Sequence, residues 1–230
     1  MSQRKPEPMA EFFDVRAEGY DEHMKRSVES FETFYAAVAD GVGTTDQPMD
    51  VLDLGAGTGL QIEGILERSP KARITAIDLS EEMLSRLRAK YASRIDEDGE
   101  RSQIRLVLGS FLDLDLGRTA YDRAVSVMAL HHWFPDVKGD LYRRIFSALR
   151  PGGLFVHGDY VVDAEESRRM EALYHEAMAS SDANEETLHH LDIPLTLDKE
   201  LELLDQAGFD EVRVQFQTES AVVYIARKAG

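Results

Sequence analysis

A chain of 230 residues, 43% of them hydrophobic, carries enough apolar surface for one ordinary core, which fits a single α/β domain with small additions. Its formal net charge of -17 repels phosphate backbones, so nucleic acid is not an expected partner. With no cysteine in the sequence, disulfides, thiolate zinc sites and covalent thiol catalysis are excluded.

The N-terminal stretch Met1-Ser2-Gln3-Arg4-Lys5-Pro6-Glu7-Pro8 has no apolar run behind its basic pair, so it does not read as a signal peptide. No later apolar stretch approaches the length of a membrane span, and a cytoplasmic location is the expectation. Residues 1–8 read as disordered. A helical pattern then carries Phe12, Phe13 and Tyr20, and a second sets Phe31, Phe34, Tyr35 and Val38 on one face. Residues 41–48 form a loop by composition.

From there strands and helices alternate. Residues 50–54 are a short apolar strand, followed by a glycine-rich turn and a helix burying Ile62, Ile65 and Leu66. Residues 72–77 are a second strand. Ser80 is placed to cap the next helix, with Glu81 and Glu82 in its first turn, where the helix dipole favours acids. Residues 104–108 and 124–128 are strands three and four. A helix with Leu141, Tyr142, Ile145, Phe146 and Leu149 stops at Pro151-Gly152-Gly153, and residues 154–157 are strand five. An insertion over 161–195 holds a helix with Met170, Leu173, Tyr174, Ala177 and Met178 on one face. A last helix ends at Gly208, and the runs 211–216 and 221–226 read as an antiparallel hairpin. Alternation of this kind means βαβ units and a parallel sheet covered on both faces.

The sharpest local signal is Val51-Leu52-Asp53-Leu54-Gly55-Ala56-Gly57-Thr58-Gly59. A strand feeding a glycine turn and then a helix lets main chain approach a ligand closely, although a glycine turn alone can be no more than a turn. Leu60 stands where the dinucleotide fingerprint needs Gly or Ala, which weakens a nicotinamide or flavin reading. Asp78 ends strand two, beside the first loop at the sheet's switch point, where a carboxylate can accept two bonds from a ribose diol.

The segment Asp53-Leu54-Gly55-Ala56-Gly57-Thr58-Gly59 resembles motif I of the class I S-adenosylmethionine-dependent methyltransferases. Ile77-Asp78-Leu79-Ser80 with Met83 resembles the second motif, Gly109-Ser110-Phe111-Leu112-Asp113 the third, Tyr121-Asp122 through Val127 the fourth, and Leu149-Arg150-Pro151-Gly152-Gly153 the fifth. The resemblance implies a Rossmann-like, doubly wound, seven-stranded sheet of order 3-2-1-4-5-7-6, strand seven antiparallel. It also implies S-adenosyl-L-methionine as cofactor, met by Asp53, Gly55, Ala56, Gly57, Asp78, Leu79, Met83, Ser110, Phe111 and Val127. Ser110 departs from the family, which often has Asp there for the adenine amino group; serine accepts more weakly. Lys25-Arg26-Ser27-Val28-Glu29-Ser30-Phe31 is similar to a segment of the carboxy-S-adenosylmethionine synthases, which implies that Phe31 touches the cofactor.

His131 and His132 follow strand four at the edge where the methyl should point. Either can serve as general base, and either can equally be a packed histidine. No carboxylate motif lies beside them in sequence, so no metal site is expected. Asp159 and Tyr160 border the same edge, and His189-His190 reads either as a surface helix end or as a pair that reaches the pocket, the first being preferred. The organisation is thus a helical cap over 1–44 and a methyltransferase domain over 45–230 with a lid insertion over 161–195. The expected partner is a small-molecule methyl acceptor, with a homodimer through the aromatic N-terminal helices as a further option. Two alternatives are a carboxy-S-adenosylmethionine synthase-like enzyme and a non-catalytic S-adenosylmethionine-binding protein.

Overall fold

In chain order the elements of the computed structural model, which describes residues 7–96, 102–179 and 189–230, begin with Glu7–Pro8 (β1), Met9–Arg16 (α1), Tyr20–Ser27 (α2) and Phe31–Val42 (α3). Met49–Leu54 (β2), Ile62–Arg68 (α4), Ala72–Asp78 (β3), Glu81–Lys90 (α5), Ile104–Leu108 (β4) and Tyr121–Val127 (β5) follow. Pro135–Ala148 (α6), Leu149–Tyr160 (β6), Ala164–Ala179 (α7), His189–His190 (β7), Leu197–Ala207 (α8), Glu211–Gln217 (β8) and Ala221–Arg227 (β9) complete the chain.

The seven-stranded sheet has the order β4-β3-β2-β5-β6-β9-β8. Neighbours from β4 to β6 pair in parallel, while β9 runs antiparallel to both β6 and β8. Leaving out the two-residue strands, this is the expected 3-2-1-4-5-7-6. The central strand β2 is buried at five of its six positions, as a strand covered on both faces must be. On one face Val51, Ile74 and Val156 pack with Phe34, Val38, Ile62 and Leu87. On the other, Leu52, Leu54 and Phe155 pack with Leu141, Tyr142, Ile145 and Leu204. Each such side chain contributes roughly 1.5–3 kcal/mol by leaving water.

Helix ends follow local chemistry. The Ser80 hydroxyl accepts from the Met83 N–H at the start of α5, and the Thr196 hydroxyl accepts from the Lys199 N–H at the start of α8. Gly208 closes α8 in the left-handed conformation at φ +103°.

Three expectations are corrected. The pattern over Phe12, Phe13 and Tyr20 is two helices: the first closes at Arg16, and Gly19, at φ +80°, starts the second. Of residues 1–8, read as disordered, Glu7 and Pro8 pair antiparallel with His190 and His189, and residues 1–6 lie outside the described residues. The sixth helix gives way at Ala148, so Leu149 already belongs to β6. In the 161–195 insertion, α7 has no buried residue, and Tyr174 sets its ring edge-on to Phe134 at 4.7 Å. Residues 180–188 of that insertion lie outside the described residues. Among the described residues no helix is long and apolar enough to cross a membrane.

Candidate active site

Leaving β2, the chain turns through three left-handed glycines, Gly55 (φ +71°), Gly57 (φ +55°) and Gly59 (φ +77°). Their surroundings separate their roles. A Cβ on Gly55 would lie 2.5 Å from the Ala129 Cβ, and one on Gly59 would lie 3.0 Å from the Tyr91 ring. These two glycines let the chain pack. A Cβ on Gly57 would meet only the Tyr20 ring, at 3.9 Å, so the middle glycine turns bare main chain toward open space. The N–H groups of Gly55 and Ala56 donate to the Ile77 carbonyl at 2.9 and 3.0 Å, which ties this turn to the end of β3.

There the Gly57 N–H donates to Asp78 Oδ2 at 2.7 Å and the Ser80 N–H to Oδ1 at 2.9 Å. Burial raises the Asp78 pKa above the usual carboxylate range, against the pull of these N–H groups. Behind the loop, Gln61 Nε2 donates to both oxygens of Asp53, at 2.9 and 2.8 Å. Burial pushes the Asp53 carboxyl up to about 7. Asp53 thus braces the turn from inside.

Leu79, Met83, Ser110, Phe111, Met128, Ala129 and Trp133 line the crevice. Ser110 Oγ accepts from the Leu112 N–H at 3.1 Å. The Trp133 indole nitrogen is buried without a hydrogen-bond partner, a donor left for a ligand. Met9, Phe13 and Tyr20 cover the crevice from above. This cap is tied to both motifs: Thr58 Oγ1 donates to Asp21 Oδ1 at 2.5 Å, and Ser80 Oγ donates to Asp14 Oδ1 at 2.5 Å. Burial, reinforced by the Asp78 charge, raises the Tyr20 phenol pKa.

Of the residues expected at the cofactor, Gly55, Gly57, Asp78, Leu79, Met83, Ser110 and Phe111 line this crevice. Asp53, Ala56 and Val127 are buried and are not among its lining residues. Phe31 is not brought to it: its ring packs 4.5 Å from that of Tyr35, and Phe13 and Tyr20 occupy the cap. Met9, Asp14, Asp21 and Met128 were not singled out from sequence. Asp14 and Asp21 look like ordinary solvated helix acids until the helices fold over the loop.

A second cavity, of about 680 Å³, adjoins the crevice and shares Phe13, Tyr20, Met128 and His132 with it. Met128 sits at the junction with φ +51°, a strained value for a residue with a long side chain. His131 Nδ1 lies 2.5 Å from Asp159 Oδ1, and Asp159 also accepts from the N–H groups of Leu130 and Tyr160 and from His157 Nε2. Burial opposes charge on both partners, yet mutual attraction wins. The His131 pKa rises above the ordinary imidazole range and that of Asp159 falls well below the carboxylate range. Asp159 is therefore the anion and His131 Nδ1 the donor.

Asp192 Oδ1 approaches His132 Nδ1 at 3.2 Å, His131 Nε2 at 3.6 Å and His190 Nε2 at 3.7 Å. His190 reaches the pocket from a strand and not from a helix end, and it stacks on Phe12. The paired histidines, with no carboxylate motif beside them in sequence, have Asp159 and Asp192 beside them in space. The β1–β7 pairing and a 2.7 Å bond from the Ile193 N–H to the His131 carbonyl draw this distant segment in, which sequence spacing does not reveal. Burial and the His131 charge lower the His132 pKa, and burial takes His190 down to about 3.

A family profile described as a methyltransferase domain matches residues 51–153. A methyltransferase of unassigned activity from Geobacillus thermodenitrificans is 30% identical, over 71% of this chain and 68% of its own length. The chain belongs to the class I S-adenosylmethionine-dependent methyltransferases. A carboxy-S-adenosyl-L-methionine synthase of Wolinella succinogenes is 26% identical to this methyltransferase, over 94% of the chain and 92% of that protein. The biotin biosynthesis bifunctional protein BioHC of Teredinibacter turnerae is 34% identical over 67% of the chain, which spans only 26% of that longer protein. The solved structure of DhpI with S-adenosylhomocysteine shares the fold at a TM-score of 0.68 and 18% identity, covering 96% of this methyltransferase and 95% of DhpI. S-adenosylmethionine is accordingly the cofactor of the methyltransferase. The crevice fits it chemically, with an open main-chain cradle at Gly57, a carboxylate for a diol at Asp78 and an unpartnered donor at Trp133.

Proposed function

We propose that this methyltransferase moves a methyl group to a small-molecule acceptor seated in the cavity beneath the N-terminal helices. The observation that carries the reading is the shared wall: Phe13, Tyr20, Met128 and His132 face both the cofactor crevice and the larger cavity. A cavity of about 680 Å³ lies within the range of small-molecule sites, roughly 300–1,000 Å³.

When bound, S-adenosylmethionine supplies an activated methyl on a sulfonium, so the chain's own task is positioning and exclusion of water. Gly57 and Asp78 hold the nucleoside, Leu79, Met83, Ser110 and Phe111 its adenine end, and Trp133 supplies a further donor. Asp53, Ala56 and Val127 support that wall from behind. Met9, Phe13 and Tyr20 close the site, with Asp14 and Asp21 latching residues 9–27 over the loop. His131 and His132 are the groups that meet the acceptor, and Asp159 orients His131. Well-oriented transfers of this kind draw about 7–11 kcal/mol from proximity alone.

A carboxymethyl-forming reading is favoured by the Wolinella relative. Against it, the arginines of the 161–195 insertion, Arg168 and Arg169, do not line the cavity, whose one arginine is Arg16 of the N-terminal helices. Incubation with methyl-labelled S-adenosylmethionine and a small-molecule extract tests the proposal. Label should pass to the low-molecular-weight fraction with equimolar S-adenosylhomocysteine. Label in macromolecules, or no transfer above the enzyme-free control, would overturn it.

A further inference from the structure

The cavity wall holds an arrangement that neither methyl transfer nor the family requires. His131, His132 and Asp192 each present one ligand atom, and these three atoms lie within 4.8 Å of one another. Ligands held at about 2.0–2.2 Å from a tetrahedral zinc lie roughly 3.3–3.6 Å apart. The separations from Asp192 Oδ1, 3.2 Å to His132 Nδ1 and 3.6 Å to His131 Nε2, already match that spacing.

Two further observations point to a ligand. His132 Nδ1 is buried and makes no well-formed hydrogen bond, although Asp192 Oδ1 lies 3.2 Å from it. A buried imidazole nitrogen left this way costs about 1–3 kcal/mol unless something occupies it. On His131, Nδ1 donates to Asp159, which leaves Nε2 as the ring nitrogen facing Asp192 at 3.6 Å. A carboxylate behind a histidine is the usual support for a metal-binding ring nitrogen.

We propose that His131 Nε2, His132 Nδ1 and Asp192 Oδ1 bind one divalent first-row transition cation, with a coordination position open to the acceptor cavity. Three protein ligands with one open place is the arrangement of catalytic rather than structural sites. Two imidazoles and one carboxylate suit zinc, iron, manganese or cobalt better than calcium or magnesium. The cavity is lined by all three residues, so the open position faces the space assigned above to the acceptor. Resting on that reading, the site selects acceptors with an oxygen or nitrogen donor beside the atom to be methylated. His190 Nε2, 3.7 Å from the same carboxylate oxygen, walls the site without being one of its ligands.

Titration of chelator-stripped protein with zinc chloride tests this. The wild type should take up one saturable equivalent, and cobalt chloride should give visible absorption bands from the same site. Asp192→Ala and His132→Ala should bind zinc at least tenfold more weakly, while replacement of the exposed His175 by alanine should change nothing. S-adenosylhomocysteine affinity, measured in parallel on Asp192→Ala, should stay within threefold of wild type and certifies the fold. A stripped wild type without a one-equivalent site, or an Asp192→Ala variant that binds zinc as wild type does, would overturn the proposal. Failure of wild type to bind S-adenosylhomocysteine would instead strike the functional reading and leave the zinc result standing by itself.

Discussion

The Gly57 N–H donates to the Asp78 carboxylate across 2.7 Å, joining the glycine turn after β2 to the end of β3. Bare main chain and an anionic side chain thus meet at the switch point of the sheet, where nucleosides bind in folds of this class. Asp78→Asn keeps an acceptor for Ser80 but removes the charge that a ribose diol would use. Charge-assisted bonds are worth about 1.5–3 kcal/mol, so S-adenosylhomocysteine affinity should fall roughly ten- to a hundredfold. Because burial raises the Asp78 pKa, wild-type affinity should weaken on acidification at a higher pH than an ordinary carboxylate would allow. Calorimetry across the pH range checks both points; the asparagine variant should lack this pH dependence.

Gly55→Ala and Gly57→Ala should fail differently. At Gly55 the new methyl meets Ala129 at 2.5 Å, so the loop must shift and the melting temperature should drop most. At Gly57 there is room, and only the left-handed backbone is penalised, by about 1–2 kcal/mol. That variant should stay folded yet bind S-adenosylhomocysteine at least tenfold more weakly. Thermal melts beside calorimetry separate the two outcomes.

Much of this site was legible in sequence because its core is local. Gly55, Gly57 and Asp78 announce themselves through the strand–turn–helix pattern and the acid at the next strand's end, and the sheet order follows from the motifs. The cap was less legible. Phe13 and Tyr20 read as aromatics of a helical pattern in the cap segment, open between lid and core, and Asp14 and Asp21 acquire meaning only through Ser80 and Thr58, residues far along the chain. Phe31 stands outside the crevice lining: four residues before Tyr35 on the same helix, it packs on that ring. Asp192 was invisible as a partner of His131, and the placing of His190 was left open, because a two-residue strand pairing brings that segment there.

The buried Asp53 carboxyl, pushed up to about 7, makes stability depend on pH. The folded state holds this proton more tightly than the unfolded chain, whose aspartates titrate near 3.9. Its contribution is complete below that value and is lost as pH rises through about 7. Asp53→Asn should therefore gain in melting temperature over wild type as the pH goes from 5 to 8. A constant difference across that range would show that Asp53 is not the group responsible.

Away from the site, Lys138 and Glu200 pair in full burial between α6 and α8, with Tyr142 and Tyr224 donating to the same carboxylate. Lys138→Met leaves that carboxylate unpaired and should cost about 3–5 kcal/mol of stability. Adding Glu200→Gln should restore most of the loss. Urea denaturation of the single and double variants reads this directly.

The most direct measurement is a crystal structure with S-adenosylhomocysteine. Its ribose should lie on Asp78, its main-chain contacts should fall at Gly57, and its sulfur should face Met128 and His132 at the mouth of the cavity. A ligand bound elsewhere, with the Gly57–Asp78 crevice left empty, would contradict the proposed site.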